Sequence, residues 1–229
     1  MFDWFKKLGS RSDGTQEMRR SFEQMLEDGR HIFDAATNAL LGGTDPVVIR
    51  DDLWATDKRI NHNERQIRRM LMTHAVSYGM SELPFCLSLM SLVKDAERIG
   101  DYGKNIFDLA ALDLKVLDDS RSDLVALKDT ISKLLVRARN VYDNQRENEA
   151  RSFLAESDAL QSLCDKRTNA LLLRTEGGGR LAATALTYRY FKRVVAHAMN
   201  IITAVVLPLD QLDYYDEDAS GRGITPEED

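Results

Sequence analysis

The sequence predicts an all-α protein: six long antiparallel helices arranged as two tandem three-helix bundles. Three observations carry this. Apolar residues recur at 3.5 to 3.6 positions through almost every long segment, with no run of alternating β-branched residues. Only four prolines occur in 229 residues, too few for a turn-rich β fold. The breaks between periodic stretches are short, so consecutive helices must be antiparallel neighbours, and each set of three can close its own bundle.

The first helix is expected from about Thr15 to Leu41, stopped by Gly42-Gly43. The second opens at Thr44-Asp45-Pro46, a capping residue followed by an early proline, and ends before Gly79. The third runs from about Ser81 to Leu117. The fourth begins near Ser120 or Ser122 and reaches Asn144. The fifth covers Glu147 to Thr175, before Gly177-Gly178-Gly179, and the sixth Arg180 to Leu207, stopped by Pro208. The chain thus divides into an N-terminal segment 1–14, repeats 15–117 and 118–209, and an acidic tail 210–229.

Bulk chemistry removes several function classes. A net charge of −6 argues against nucleic acid, which is bound by Lys and Arg neutralising phosphates. Cys86 and Cys164 lie in helices without CxxC spacing and suit reduced, buried thiols in the cytoplasm. No stretch has the roughly 18 consecutive apolar residues of a membrane span. The start, "MFDWFKKLG", sets Phe2, Trp4 and Phe5 beside Lys6 and Lys7. Such an element can touch a membrane surface, although an end folded back on the bundle is the plainer reading. From Asp210 onward the tail has eight acidic residues against Arg222 alone, and disorder is expected from about Asp216.

The two sets resemble each other. Leu53, Asp57, Ile60, Glu64, Ile67 and Leu71 form one stripe on helix two. Leu154, Asp158, Gln161, Asp165, Thr168 and Leu172 repeat the spacing 101 residues later. On helix three the inward stripe is Leu92, Ala96, Ile99, Gly103, Ile106 and Ala110. On helix six it is Thr187, Phe191, Val194, Ala198, Ile201 and Val205, shifted by 95. Arg98 and Asn105 then fall on Arg193 and Asn200, as expected of an old internal duplication.

Carboxylates on an inward stripe need partners. A buried polar layer is therefore expected in each set: Asp57 and Glu64 with Arg98 and Asn105, and Asp158 and Asp165 with Arg193 and Asn200. Glu97 and Asp101 are a separate matter. They lie four apart on one flank of helix three and repel mildly. Counted with Asp57 and Glu64, they leave four acids against Arg98, whereas Lys192 and Ala196 stand at their positions in the second set. A bound cation at Glu97, Asp101, Asp57 and Glu64 is one remedy, since oxygen-rich clusters suit hard metals such as magnesium or calcium, or iron. Exposure to solvent is the other. Gly100 and Gly103, costly inside a helix, would let a neighbouring helix approach closely.

The stretch "DAERIGDYGKNI" resembles the signature of the PhoU family, with Glu97, Arg98, Gly100, Asp101 and Asn105 all matching. The second motif, "FKRVVAHAMNI", keeps Arg193, His197 and Asn200 but lacks both acids, and Glu82-Leu83-Pro84 stands where members often show Asp-Leu-Arg. The resemblance spans about Met18 to Pro208 and marks a divergent member. It implies two three-helix repeats and a cytoplasmic, non-catalytic accessory of phosphate homeostasis, linked to the Pst phosphate transporter and a membrane sensor kinase. It also implies an iron or zinc cluster at the acidic motif, hence at Glu97 and Asp101 and not at Lys192 and Ala196. A homodimer and a peripheral contact with the membrane are compatible with this.

Enzyme motifs are missing from the sequence itself. "EGGGR" at 176–180 precedes a helix but lacks the Lys-Ser/Thr of a P-loop. The four histidines show neither HExxH spacing nor a triad order. The regulatory adaptor competes with two other readings: a metal-binding or storage protein, and an accessory module of a sodium-coupled phosphate transporter.

Overall fold

The computed structural model describes residues 13–213. The N-terminal aromatic-basic element and the tail beyond Asp213 lie outside the described residues. Six long helices are present: α1 (Asp13–Thr37), α2 (Pro46–Tyr78), α3 (Leu83–Ala111), α4 (Asp118–Asn144), α5 (Glu147–Leu172) and α6 (Gly178–Val206). Among the described residues there is no strand. The last turn of α1 widens into a π turn, Asn38–Gly42, closed by Gly43 in the left-handed conformation at φ 84°. The Asp45 carboxylate accepts from Val47 N at 2.9 Å and caps α2, with Pro46 in its first turn.

In the first set α1, α2 and α3 pack on one another. In the second, α6 is the hub: α5 packs heavily on it and only lightly on α4. The sets join side by side, α3 against α6 and α1 against α4. Both pairs run antiparallel. Asp95 meets His197 while Tyr102 meets Arg193, and Arg19 meets Asp143 while Ser132 meets Asp34. The core is continuous across the join, with Phe33 of α1 against Phe191 of α6 and Phe22 of α1 against Tyr142 of α4.

Two helix ends fall short of expectation. α3 stops at Ala111, not Leu117, because the chain reverses through Asp113 in the left-handed region at φ 53°. The freed backbone of Val116 and Leu117 is taken up by α6: Arg180 donates to the Val116 carbonyl, and the Thr184 hydroxyl accepts from Leu117 N at 2.9 Å. α5 stops at Leu172 rather than Thr175.

The inward stripes of α2, α3 and α6 are buried apart from Asp57, which is only partly covered. The stripe expected on α5 is out of register. Its buried line is Ala150, Phe153, Leu154, Ser157, Gln161, Cys164 and Leu171, while Asp158 and Leu172 are exposed. Small Ser157 and Cys164 let α5 settle closely on α6, and that rotates Asp158 outward. Burial pushes the Cys164 thiol up to about 12 and raises Cys86 as well, so both stay protonated and inert.

Both glycines of α3 mark close approaches. A Cβ on Gly103 would lie 2.6 Å from Ile32 Cγ2 and 3.2 Å from the Phe33 backbone nitrogen on α1. A Cβ on Gly100 would lie 2.9 Å from Ile60 Cδ1 on α2. The bare backbone of α3 thus fits into the angle between α1 and α2.

Candidate functional site

The acidic knot forms where α2 and α3 run side by side, but its partners are not those expected. Arg98 does not enter a buried layer. Its side chain is 48% exposed and reaches along its own helix to Asp101 at 3.3 Å and Glu97 at 3.9 Å. Asp57 is held instead by Lys104 Nζ at 2.7 Å, and the same ammonium reaches Asp101 at 3.0 Å, tying α2 to α3. Lys94 Nζ lies 2.7 Å from Glu97. Arg68 Nη2 lies 2.9 Å from Glu64, itself only 6% exposed. Asn105 is half-buried and joins none of these contacts among the described residues. Four acids therefore meet four bases: Arg68, Lys94, Arg98 and Lys104. Each base sits three or four positions from an acid of its own helix, the spacing that brings side chains together on a helix surface.

Burial pushes the Glu97 carboxyl above the usual carboxylate range. Lys94 draws it back, and Asp101 and Glu64 push it up further. Burial opposes the charge on Lys104, but its bonds to Asp57 and Asp101 outweigh that, and the ammonium is held more firmly than usual.

A metal ion fits this arrangement poorly. Tethered ammonium and guanidinium groups already take the positions on the carboxylates that a cation would fill. Among the described residues no three His, Cys, Asp or Glu side chains come together as an ion would require. Glu64 Oε1 has no hydrogen-bond partner, because Arg68 approaches it off axis. One orphaned oxygen is a single donor, however, where hard cations gather six or more.

In the second set the expected layer also resolves differently. Lys192 bonds Asp165, and Asp158 faces solvent. Arg193 and Asn200 turn away from α5 and cross to α3. Asn200 Nδ2 donates to Asp95 Oδ1 at 3.0 Å, and His197 Nδ1 donates to the same oxygen at 2.8 Å. Arg193 Nε donates to the Tyr102 hydroxyl at 3.2 Å, and its guanidinium lies 5.7 Å from the Tyr102 ring centre. The His197 ring stacks on the same tyrosine at 5.6 Å. Asp95 and His197 are both buried. The 3₁₀ turn Leu209–Gln211 then brings Asp213 back over this seam. Its backbone N–H donates to Thr203 Oγ1 at 3.3 Å, and although the residue keeps an exposed side, the protein packed around its carboxyl and the nearby Asp95 charge push that group up to about 6.

This seam is the polar layer that the sequence reading missed. Its signal was present: Asp95 lies one residue before Ala96 of the inward stripe, and His197 one before Ala198. Which helix they would face depended on how the two sets dock. Nothing in either cluster makes a nucleophile and base pair, and both clusters tie helices together.

Three comparisons bear on identity. The PhoU domain family matches residues 22–110. The crystal structure of the phosphate transport system regulatory protein PhoU from Streptococcus pneumoniae superposes with a TM-score of 0.67 at 18% identity, covering 85% of this chain and 95% of that one. A search among curated proteins returns no match.

Proposed function

We propose that this chain, which carries a PhoU domain over residues 22–110 and so belongs to the PhoU family, is a regulatory adaptor of phosphate homeostasis. It works by contact with a phosphate transporter or its sensor kinase at the inner face of the membrane and has no catalysis of its own. The observation that carries this is the family match across α1–α3, together with a fold that spans nearly the whole of a phosphate-transport regulator. Two features are consistent with it. No helix of the described residues is long and apolar enough to cross a membrane, which suits a protein that reaches a transporter from one side. The polar clusters brace helices against one another.

The adaptor works without a resident metal. The balance of four acids by four tethered bases supports this, since the negative charge that would draw an ion is already met. A storage role has correspondingly little support. The test is recovery of the untagged protein with its partners from gently solubilised membranes, in cells held at high and at low phosphate. A phosphate transporter or sensor kinase should co-purify, and loss of this protein should alter phosphate uptake or phosphate-dependent signalling. Co-purification of neither, with phosphate handling unchanged on deletion, would overturn the reading.

A further inference from the structure

After α6 the chain closes back onto the seam between the two sets. Leu209–Gln211 makes one 3₁₀ turn after Pro208, with Gln211 N–H donating to the Pro208 carbonyl at 3.0 Å. Leu212 follows and is buried as part of the core. Asp213 then stands in the left-handed region at φ 73°. That conformation costs a residue with a side chain free energy and persists only where contacts hold it. One such contact is its N–H on Thr203 Oγ1 at 3.3 Å. Thr203 is buried, and its hydroxyl donates in turn to the Asn200 carbonyl.

The Asp213 carboxyl meets a second carboxylate there. Among the described residues, Asp95 on α3 and His197 on α6 are the titratable groups that act on it. Behind them stand Tyr102 on α3 and Arg193 on α6, bonded to each other. Asp210 begins the same turn and is exposed, and Lys94, next to Asp95 in sequence, is bonded to Glu97.

His197 does not cancel the Asp95 charge. Arg193 Nη2 lies 3.4 Å from His197 Nε2, and a guanidinium can only donate. Nε2 therefore accepts, and the single ring proton is the one on Nδ1 that Asp95 receives. Asn200, the other donor on Asp95, is neutral as well. Asp95 thus keeps its negative charge at the seam, and Asp213 closes beside it as a like charge unless it carries a proton. A proton on one of two neighbouring carboxylates is the usual settlement. The carboxyl agrees with this: protein packed around it and the Asp95 charge push it up to about 6.

We propose that residues 209–213 form a proton-operated clasp on the α3–α6 seam. With a proton on the Asp213 carboxyl the turn closes beside Asp95 and His197, and Leu212 seats in the core. Loss of that proton sets two carboxylates against each other. Asp213 then leaves its left-handed conformation, and the turn lifts away from the Asp95–His197 pair. The inference goes beyond the adaptor reading and does not depend on it. Its sign follows from linkage. The closed form holds the proton more tightly than the open form, so closure is firmest below the ordinary value of 3.8 and weakens as pH rises to about 6. Between about pH 4.5 and about pH 7.5 the opening equilibrium should rise about twentyfold.

The test is amide hydrogen exchange in the full-length protein, read at Gln211 and Asp213 and corrected for the intrinsic effect of pH on exchange. Mid-helix amides of α1 and α4 report global unfolding and set the baseline. Both turn amides should open about twentyfold more at the higher pH. Asp213→Asn should stay closed at both pH values and remove the difference, while Asp210→Asn should leave it unchanged. The Asp213 carboxyl carbon, followed by NMR, should titrate near 6 in the wild type and at lower pH in Asp95→Asn, with a melt to show that this variant is folded. Equal opening of the wild type at the two pH values would overturn the proposal. So would a full pH response in Asp213→Asn, or an Asp213 carboxyl that titrates at about 4.

Discussion

The two repeats share a helical plan and use their polar residues in opposite ways. In the first, the charges lie between α2 and α3 and close on themselves, four acids with four bases. In the second, Asp165 and Lys192 form one partly exposed pair, and Arg193, His197 and Asn200 are spent on α3 of the first repeat. The helices differ to match. Gly103 of α3 lies against the Phe33 backbone of α1, and its counterpart on α6 is Ala198. α5 leans on α6 and scarcely on α4. The first three-helix set is thus a tight, self-balanced unit, and the second serves as a brace for it.

Breaking the tight half should show the largest effect. Gly103→Ala gains about 1 kcal/mol of helix propensity but drives a methyl into the α1 backbone. Overpacking of that kind costs about 1–3 kcal/mol, and contact with a backbone atom sets it at the upper end. A fall of several degrees in the thermal midpoint is expected, whereas Gly100→Ala, which meets the side-chain ends of Ile60 and Ile32 and no backbone atom, should cost less. Equal midpoints for Gly103→Ala and wild type would mean that α1 and α3 are not so close.

Asp95→Ala comes next. It leaves His197 and Asn200 without their shared acceptor at the seam between repeats, at a cost of about 1–3 kcal/mol. Unfolding should also lose cooperativity between the repeats, readable as a broader transition by hydrogen exchange across α3 and α6. A sharp, unshifted transition would show that the apolar seam alone joins them.

The charge pairs separate the repeats more finely. Lys104→Met removes the ammonium that links Asp57 on α2 to Asp101 on α3, leaving Asp57 to Asn61 and Asp101 to Arg98, and should cost about 1–2 kcal/mol. Lys192→Met frees only the half-exposed Asp165 and should cost well under 1 kcal/mol. A reversed order in urea melts would contradict the contrast drawn between them.

The smallest effect concerns pH. The Asp213 carboxyl has its ordinary value of 3.8 raised to about 6. Its folded form therefore holds a proton that the unfolded chain has released. Its contribution to stability is greatest below about pH 4 and declines as pH rises from about 4 to about 6. Asp213→Asn should raise stability slightly at neutral pH and flatten that part of the profile. An identical profile would mean that Asp213 is solvated.

The helices were readable because glycine pairs, prolines and one apolar period all agreed. The α5 register was not, because its acids keep the spacing of those on α2 while Ser157 and Cys164, both small and buried, lie on the side that faces the core. Arg68, Lys94 and Lys104 were within reach of a simple rule, each lying three or four positions from Glu64, Glu97 or Asp101. Arg98 competes with them as the expected partner, because a forked guanidinium can hold a carboxylate in two parallel hydrogen bonds, but a short reach along its own helix keeps it at the surface. The Asp95–His197–Asn200 seam depends on how two bundles dock, and helical period within one chain segment has no information about that.

Ion binding by untagged, chelator-treated protein tests the self-balanced knot most directly. The account predicts that iron, zinc, manganese and magnesium find no stoichiometric site in the wild type. It predicts further that Lys94→Met with Lys104→Met creates one, which Asp101→Asn then removes. A wild-type chain that takes up an ion tightly, and loses it on Asp101→Asn, would contradict the account.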